Sequence, residues 1–155
     1  MNKNLQNFVT SAKEYISWVE SNNSRKNKDM ETVNELLLAL YSNAFKLQYH
    51  PNADAIENNS IDHKEWVKIR TSFKGLPIDE YQKIFDPLDL SDKSPVTACL
   101  SDDLADIYRD IKPALLAYEK GEAEKAEDDL RRSFEQHWSR HAISALNAIR
   151  QYFWA

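Results

Sequence analysis

The chain has 155 residues, of which 42% are hydrophobic and 29% charged, with a formal net charge of −5 and a pI near 5.4. This length suits one compact domain, and we predict a single domain over residues 1–155. The acidic balance argues against nucleic-acid binding, because a basic patch is the electrostatic mark of such proteins. The chain has only two glycines, which argues against a hairpin-rich all-β fold.

The first third of the chain predicts two amphipathic helices. Apolar residues from Leu5 to Val19 recur with the period of an α-helix, and this pattern ends near the turn "SNNSRKNK". A second stripe runs from Met30 to Leu47, with Asp29 as its expected N-cap. The short connection between them favours an antiparallel pair.

Residues 49–94 are less regular. The stretch "PNADAIENNS" is typical of a loop, and "IDHKEWVKIRTSFKG" predicts a short helix with Asp62 at its start and Gly75 as its C-cap. The segment "IDEYQKIFDP" predicts one or two further helical turns, and "LDLSDKS" predicts a polar loop.

Two long helices are expected to complete the chain. The fourth helix should begin at Ser94-Pro95 and run to Gly121, bending at Pro113 without breaking. The acidic run "EAEKAEDD" should open the fifth, because carboxylates suit the positive end of a helix dipole. Its apolar face is expected to comprise Leu130, Phe134, Trp138, His141, Ala145, Ile149 and Tyr152. We therefore predict an all-α antiparallel bundle of about four main helices, with one or two short helices in the 50–95 connection.

His137 and His141 lie one helical turn apart, and both are expected to be substantially buried. On a helical wheel His141 falls about 20° from Leu130, near the middle of the apolar stripe, and His137 about 20° to the other side. A buried imidazole needs partners for its ring nitrogens. We expect those partners on the fourth helix, where Asp103 and Asp110 share a flank of the stripe.

On that same helix the pattern places Tyr108 within the stripe and turns Asp106 further toward solvent. Asp–His pairs across the seam could orient a general base, raise its pKa or hold the two helices in register. All three roles stay open at this point.

A metal site is the sharper alternative, because histidines at i and i+4 on a helix can share one ion. No glutamate follows His137, however, and the Glu-x-x-His motif of di-iron bundles does not occur. Core histidines satisfied by Asp, Tyr or backbone groups are the commoner arrangement. We therefore assign no metal, no cofactor and no catalytic residue from the sequence, and we interpret Cys99 as an ordinary, partly buried cysteine.

Cysteine usage and the apolar pattern indicate a cytoplasmic protein. Cys99 is the only cysteine, so an intramolecular disulfide cannot form, as is usual in a reducing compartment. The first residues lack the apolar core of a signal peptide, and no apolar run of about 18 residues could span a bilayer. The terminal Tyr152, Phe153 and Trp154 either clamp the last turn onto the bundle or form a surface for self-association or a partner protein.

Four stretches resemble a bacterial family known as domain of unknown function 5063. They are "FVTSAKEYISWVE", "YQKIFDPLD", "SPVTACLSDDLADIYRDIK" and "FEQHWSRHAISALNAI". The resemblance implies an all-helical, cytoplasmic bacterial protein, and it implies no reaction, cofactor or partner. The acidic and "HW..H" motifs look like the family signature, which gives as candidate pocket or polar-network residues Asp103, Asp106, Tyr108, Asp110, His137, Trp138 and His141.

Two functional hypotheses follow. The sequence favours a non-enzymatic interaction or regulatory module, acting through an unknown protein partner or by self-association, for example as a dimer. The alternative is a small-ligand or metal-binding site, which could be enzymatic, between the fourth and fifth helices around the Asp/Tyr and His/Trp motifs.

Overall fold

The structure is a computed structural model that describes residues 2–21, 25, 27–57 and 60–154. Its helices are α1 (Lys3–Glu20), α2 (Asn27–Ala44), α3 (His63–Thr71), α4 (Leu100–Glu119), α5 (Ala123–Ser133) and α6 (Ser139–Trp154), and its strands are β1 (Glu80–Lys83) and β2 (Val96–Cys99). A five-residue π-helical turn, Phe134–Trp138, joins α5 to α6, so that the two form one rod.

The α4 helix lies at the centre of the bundle. It packs against α1, α3, α5 and α6, while α2 packs against α1 and α6. The apolar stripes of these helices meet in one core, whose fully buried side chains include Phe8, Tyr15, Met30, Leu37, Leu40, Leu104, Ile107, Ile111, Leu130, Trp138 and Ile149. The predicted helical bundle is confirmed, with a small two-stranded sheet as an addition. None of the helices in the described part of the chain combines the length and apolar character that a bilayer crossing requires.

One of the predicted helix caps holds: Asp62 caps α3, whereas the C-cap of α3 is Ser72 and not the predicted Gly75. The Asp62 carboxylate accepts a hydrogen bond from the Glu65 amide at 2.8 Å and so caps α3. Gly75 closes the turn after α3 with a φ of +103°, a conformation that glycine adopts without strain. The α2 helix starts at Asn27, so Asp29 lies in its first turn instead of capping it. The predicted turn 21–28 and the loop 51–60 lie partly outside the described residues.

The connection before α4 contains a strand pair where further helix was predicted. β1 and β2 pair antiparallel, with Glu80 opposite Cys99 and Lys83 opposite Val96. The predicted helical turns at 78–87 and the predicted helix start at Ser94-Pro95 are therefore wrong. Adjacent β-branched residues after the proline, Val96 and Thr97, favour the extended form.

Asp79 takes over the capping role that the sequence suggested for Ser94. Its backbone carbonyl accepts from the Leu100 amide at 2.9 Å, and its side-chain Oδ1 accepts from the Ser101 amide at 2.9 Å. These two bonds satisfy amide groups that the first turn of α4 would leave without partners. The α4 helix therefore begins at Leu100 and continues through Pro113 to Glu119.

The π-helical turn changes which residues of the last helical rod face the core. Its i→i+5 hydrogen bonds place an extra residue in the turn and shift the following helix relative to an unbroken α-helix. The buried line accordingly runs through Leu130, Phe134, Trp138, Ala142, Ala145 and Ile149. His141 moves to the edge, with its side chain 22% exposed, and His137 is 43% exposed. The expectation that both are substantially buried is wrong for His137 and holds only in part for His141.

Candidate functional site

Helix α4 presents three carboxylates to the two histidines of the last rod. His137 lies in the π-helical turn, and its Nδ1 is 2.6 Å from Oδ2 of Asp110. His141 lies in the first turn of α6, and its Nδ1 is 2.8 Å from Oδ1 of Asp103. The three aspartates at 103, 106 and 110 share one face of α4, since spacings of three, four and seven residues return to the same side of a helix.

The other ring nitrogens converge. Nε2 of His137 and Nε2 of His141 are 3.3 Å apart, and Nε2 of His141 is also 3.2 Å from Oδ2 of Asp106. One ligand atom from each of these three residues lies within 4.8 Å of the other two. Two imidazole nitrogens and one carboxylate oxygen thus point at a common space.

This arrangement calls for a positive charge between the rings. A carboxylate faces each Nδ1, so we infer that each Nδ1 carries a proton and donates it to its aspartate. In two neutral rings the Nε2 lone pairs of His137 and His141 would then face each other at 3.3 Å. Either a proton on Nε2 of His141, which faces both His137 and Asp106, or a cation bound by both nitrogens removes that repulsion.

Asp106 is held by two groups that the sequence analysis did not connect with it. Its Oδ1 accepts from Nε1 of Trp66 at 2.8 Å and from the guanidinium of Arg109 at 2.7 Å. Helix α3 brings Trp66 over the carboxylate, which is why Asp106 is only 13% exposed. The expectation that Asp106 turns toward solvent is therefore wrong, and its Oδ2 is left to face His141.

Tyr81 is a further site residue, and the sequence analysis missed it. Its phenol donates a hydrogen bond to Oδ2 of Asp103, whose other oxygen meets His141. Burial and the contact with Asp103 raise the pKa of the Tyr81 phenol, so it stays a proton donor at physiological pH. A strand of four residues is too short to show a clear alternation, so nothing in the pattern placed Tyr81 opposite α4.

Two predicted site residues lie elsewhere. The Tyr108 phenol donates to Oε1 of Glu20 at 2.9 Å, on the side of α4 that faces α1. Five residues separate it from Asp103, which corresponds to about 140° around the helix. Trp138 is fully buried against Phe8 and the neighbouring core rings, and its indole N–H has no hydrogen-bond partner among the described residues. Trp138 therefore belongs to the core.

A cleft of about 410 Å³ lies beside Asp110, the partner of His137. Arg109, Asp110 and Asp129 line it, so the groups that contact Asp106 and His137 are also part of its wall. Burial raises the pKa of Asp110, against the opposing effect of His137. Burial, together with the neighbouring carboxylates of Asp110 and Asp128, raises the pKa of Asp129 to about 6. The cleft therefore brings the carboxyl groups of Asp110 and Asp129 together beside the guanidinium of Arg109.

Comparison with known proteins gives the chain a family. A search of curated proteins finds no match. Among solved structures, the chain is similar to the crystal structure of protein BF1032 from Bacteroides fragilis, with a TM-score of 0.75 and 24% sequence identity. That match covers 97% of this chain and 92% of the other, and it shows a shared fold. The model of the family described as domain of unknown function (DUF5063) matches residues 1–153, and the chain belongs to that family.

Proposed function

We propose that this protein binds one divalent transition-metal ion through Nε2 of His137, Nε2 of His141 and Oδ2 of Asp106. The observation that carries the proposal is the convergence of these atoms, with separations of 3.3 Å between the nitrogens and 3.2 Å between His141 and Asp106. Ligand atoms that each lie about 2.0–2.1 Å from a tetrahedral ion are about 3.3 Å apart. The two separations match that geometry before any side chain moves.

The outer contacts of the three ligands support the same assignment. A metal-binding histidine usually donates its second ring N–H to a carboxylate or carbonyl, which fixes the tautomer and the ring orientation. Asp110 and Asp103 occupy these positions for His137 and His141. Trp66 bonds Oδ1 of Asp106 and so leaves Oδ2 for the ion. Each ligand is therefore held by a partner that keeps its coordinating atom free.

The ligand set favours a site with open coordination positions. Structural zinc sites are closed by four protein ligands, whereas sites with three leave a position for water or substrate. Two imidazoles and one carboxylate suit zinc or iron(II). An ion held this way supplies Lewis-acid chemistry when bound. His137 is 43% exposed, so solvent reaches the edge of this site.

The competing interpretation is that a proton lies between the rings and the histidines serve only to hold α4 against the last rod. It predicts the same contacts at Asp103 and Asp110, and it predicts no affinity for metal. The metal proposal also departs from the non-enzymatic interaction role that the sequence favoured. A cytoplasmic location remains our proposal, supported by the lone, half-buried Cys99.

The test is a titration of the chelator-treated protein with Zn²⁺ and, for its visible spectrum, Co²⁺. We expect one ion per chain with a Kd below about 1 μM. His141→Ala should weaken binding by at least about 100-fold, because it removes one of three ligands and leaves Oδ1 of Asp103 without its partner. The matched control is His50→Ala, since the His50 ring pairs with Glu127 outside the ligand set and its loss should not change the affinity.

Two results would overturn the proposal. One is the absence of stoichiometric binding by the unsubstituted protein. The other is equal affinity in the unsubstituted protein and in His141→Ala. In either case nitrogen-15 NMR of the imidazoles should show a single proton shared between His137 and His141, as the competing interpretation requires.

A further inference from the structure

One face of the molecule exposes large apolar side chains. The segment 84–92, which follows β1, leaves Phe85, Leu88 and Leu90 exposed by 73%, 88% and 84%. We call this segment the apolar loop. Monomeric proteins seldom leave neighbouring large apolar side chains this exposed unless the surface binds something.

A groove of about 740 Å³ lies beside the apolar loop. Helices α2 and α6 form its floor with Leu38, Ile143 and Leu146, and the start of the loop forms one wall with Ile84 and Pro87. Its lining is mostly apolar. We call this space the apolar groove.

The apolar loop has a defined shape. The Asp86 carboxylate accepts from the Leu88 amide at 3.0 Å, and the Asp89 carboxylate accepts from the Ser91 amide at 3.1 Å. These bonds hold the loop in successive turns, with both leucines directed outward. A segment that is already ordered loses less conformational entropy when it binds than a flexible one does.

Loop and groove carry complementary charge. Lys83 and Arg150 line the groove, and no acidic side chain is present among the described residues of its lining. The loop carries Asp86, Asp89 and Asp92 between its apolar residues, and the contacts with Ser91 lower the pKa of Asp89, which keeps it ionised. The start of the apolar loop forms a wall of the apolar groove in the same chain, and Leu88 and Leu90 of that loop remain exposed outside the groove. The groove that these leucines could fill is therefore the groove of a second molecule.

We propose that this face is a self-association surface on which two copies of the chain exchange their apolar loops, each loop entering the apolar groove of the other copy. Loop and groove are adjacent, so a single two-fold axis lets both contacts form at once, as in an isologous dimer. Leu88 and Leu90 fill the groove, and the loop aspartates meet Lys83 and Arg150 at its rim. The assembly does not depend on the proposed metal site.

The first test is the molar mass of the full chain, measured by sedimentation or light scattering from about 1 to 100 μM, a range that covers typical reversible dimers. We expect a dimer at the upper concentrations, unchanged by a chelator. Leu88→Asp with Leu90→Asp should raise the dimer dissociation constant more than about tenfold. Val67→Asp is the matched control, because Val67 is exposed on α3 outside this face and should leave the dimer intact.

The second test separates loop exchange from other modes of pairing. Leu38→Asp with Lys83→Glu damages the groove and keeps the loop. Mixed with the loop variant, it should form a heterodimer with one intact loop–groove contact, although neither variant pairs with itself. A monomer at every concentration, a loop variant that still dimerises, or a mixture without heterodimer would each overturn the proposal. Circular dichroism of each variant shows that the fold is retained.

Discussion

The described part of the molecule contains two histidine–carboxylate clusters, and they differ in how completely their polar atoms are paired. Glu127 on α5 is 1% exposed, and its carboxylate accepts from Asn2 at 2.8 Å and from the Gln48 amide at 3.0 Å, while Nε2 of His50 lies 2.7 Å away. Both of its oxygens are satisfied within the protein. In the cluster on α4, by contrast, two Nε2 atoms are left facing each other.

This difference separates a structural tie from a candidate binding site. Glu127 joins the start of α1 and the segment after α2 to α5, and the contacts described above use both of its oxygens. His137 and His141 use their Nδ1 atoms for orientation and keep their Nε2 atoms directed at shared space. Incomplete pairing inside a well-oriented cluster is therefore more informative about function than the mere presence of histidine and carboxylate.

The largest expected effect on stability comes from breaking the cluster around Glu127. Glu127→Ala removes a buried acceptor and leaves the Gln48 amide, Asn2 and His50 without it, so we expect the free energy of unfolding to fall by about 3 kcal/mol. Urea denaturation measures this loss. Glu124→Ala, at an exposed position in the first turn of the same helix, should change it by less than about 0.5 kcal/mol. If Glu127→Ala also weakened zinc binding in the folded protein, the Glu127 cluster would contribute to metal binding and would not be only a structural tie.

A smaller effect is expected from the outer partner that Tyr81 supplies. Tyr81→Phe removes the phenol that bonds Asp103 and so loosens the carboxylate that orients His141. Loss of such an outer contact costs about tenfold or more in metal affinity. We expect that loss in a zinc titration, with a change in unfolding free energy of only about 1 kcal/mol. Tyr108→Phe, on the other side of α4, is the control and should leave metal affinity unchanged.

The smallest effect has the opposite sign, because ionisation of Asp129, a half-buried carboxyl group in the cleft, opposes folding. The pKa of Asp129 is about 6 in the folded protein, above its ordinary value, so its ionisation costs stability as pH rises through that value. Asp129→Asn should therefore raise the free energy of unfolding at pH 7. The gain should be about 1 kcal/mol, since partial solvation screens the charge.

The pH dependence provides the check on this prediction. The difference between Asp129→Asn and the unsubstituted protein should shrink as pH falls from about 7 and vanish below about pH 3, where the carboxyl is protonated in both the folded and the unfolded state. Thermal unfolding between about pH 3 and about pH 8 measures it. A constant difference over that range would assign the effect to the shape of the asparagine side chain and not to the charges of Asp110, Asp128 and Asp129.

The sequence predicted the bundle because its main helices carry long apolar stripes, and a period that persists over four or five turns is hard to mistake. The strands were missed because each has four residues, and the extended pairing depends on the contact of Glu80–Lys83 with Val96–Cys99 across the chain. Local strand propensity does not predict a contact between segments that lie far apart in the sequence. The same long-range pairing supplies the cap that Asp79 gives to α4.

The sequence predicted the two Asp–His pairs of the candidate site. It did not predict that the Nε2 atoms of both histidines and the Asp106 carboxylate would meet. Helical spacing placed Asp103 and Asp110 opposite the two histidines, but a wheel assumes one residue every 100° throughout the rod. The π-helical turn breaks that assumption at His137, and α3, which lies far away in sequence, brings Trp66 to Asp106. Both features result from tertiary packing, which a local pattern does not encode.

The π-helical turn at Phe134–Trp138 makes the position of His141 depend on the number of residues in that turn. Deleting a single residue there would restore ordinary winding and rotate everything after it by about 100°. The core would keep apolar neighbours, because small alanines follow at 142, 145 and 148, yet His141 would swing away from His137. In this fold the extra residue of the π-helical turn sets the alignment of the two imidazole rings. Without that residue the chain would still form a helical bundle, but the two Nε2 atoms would no longer meet.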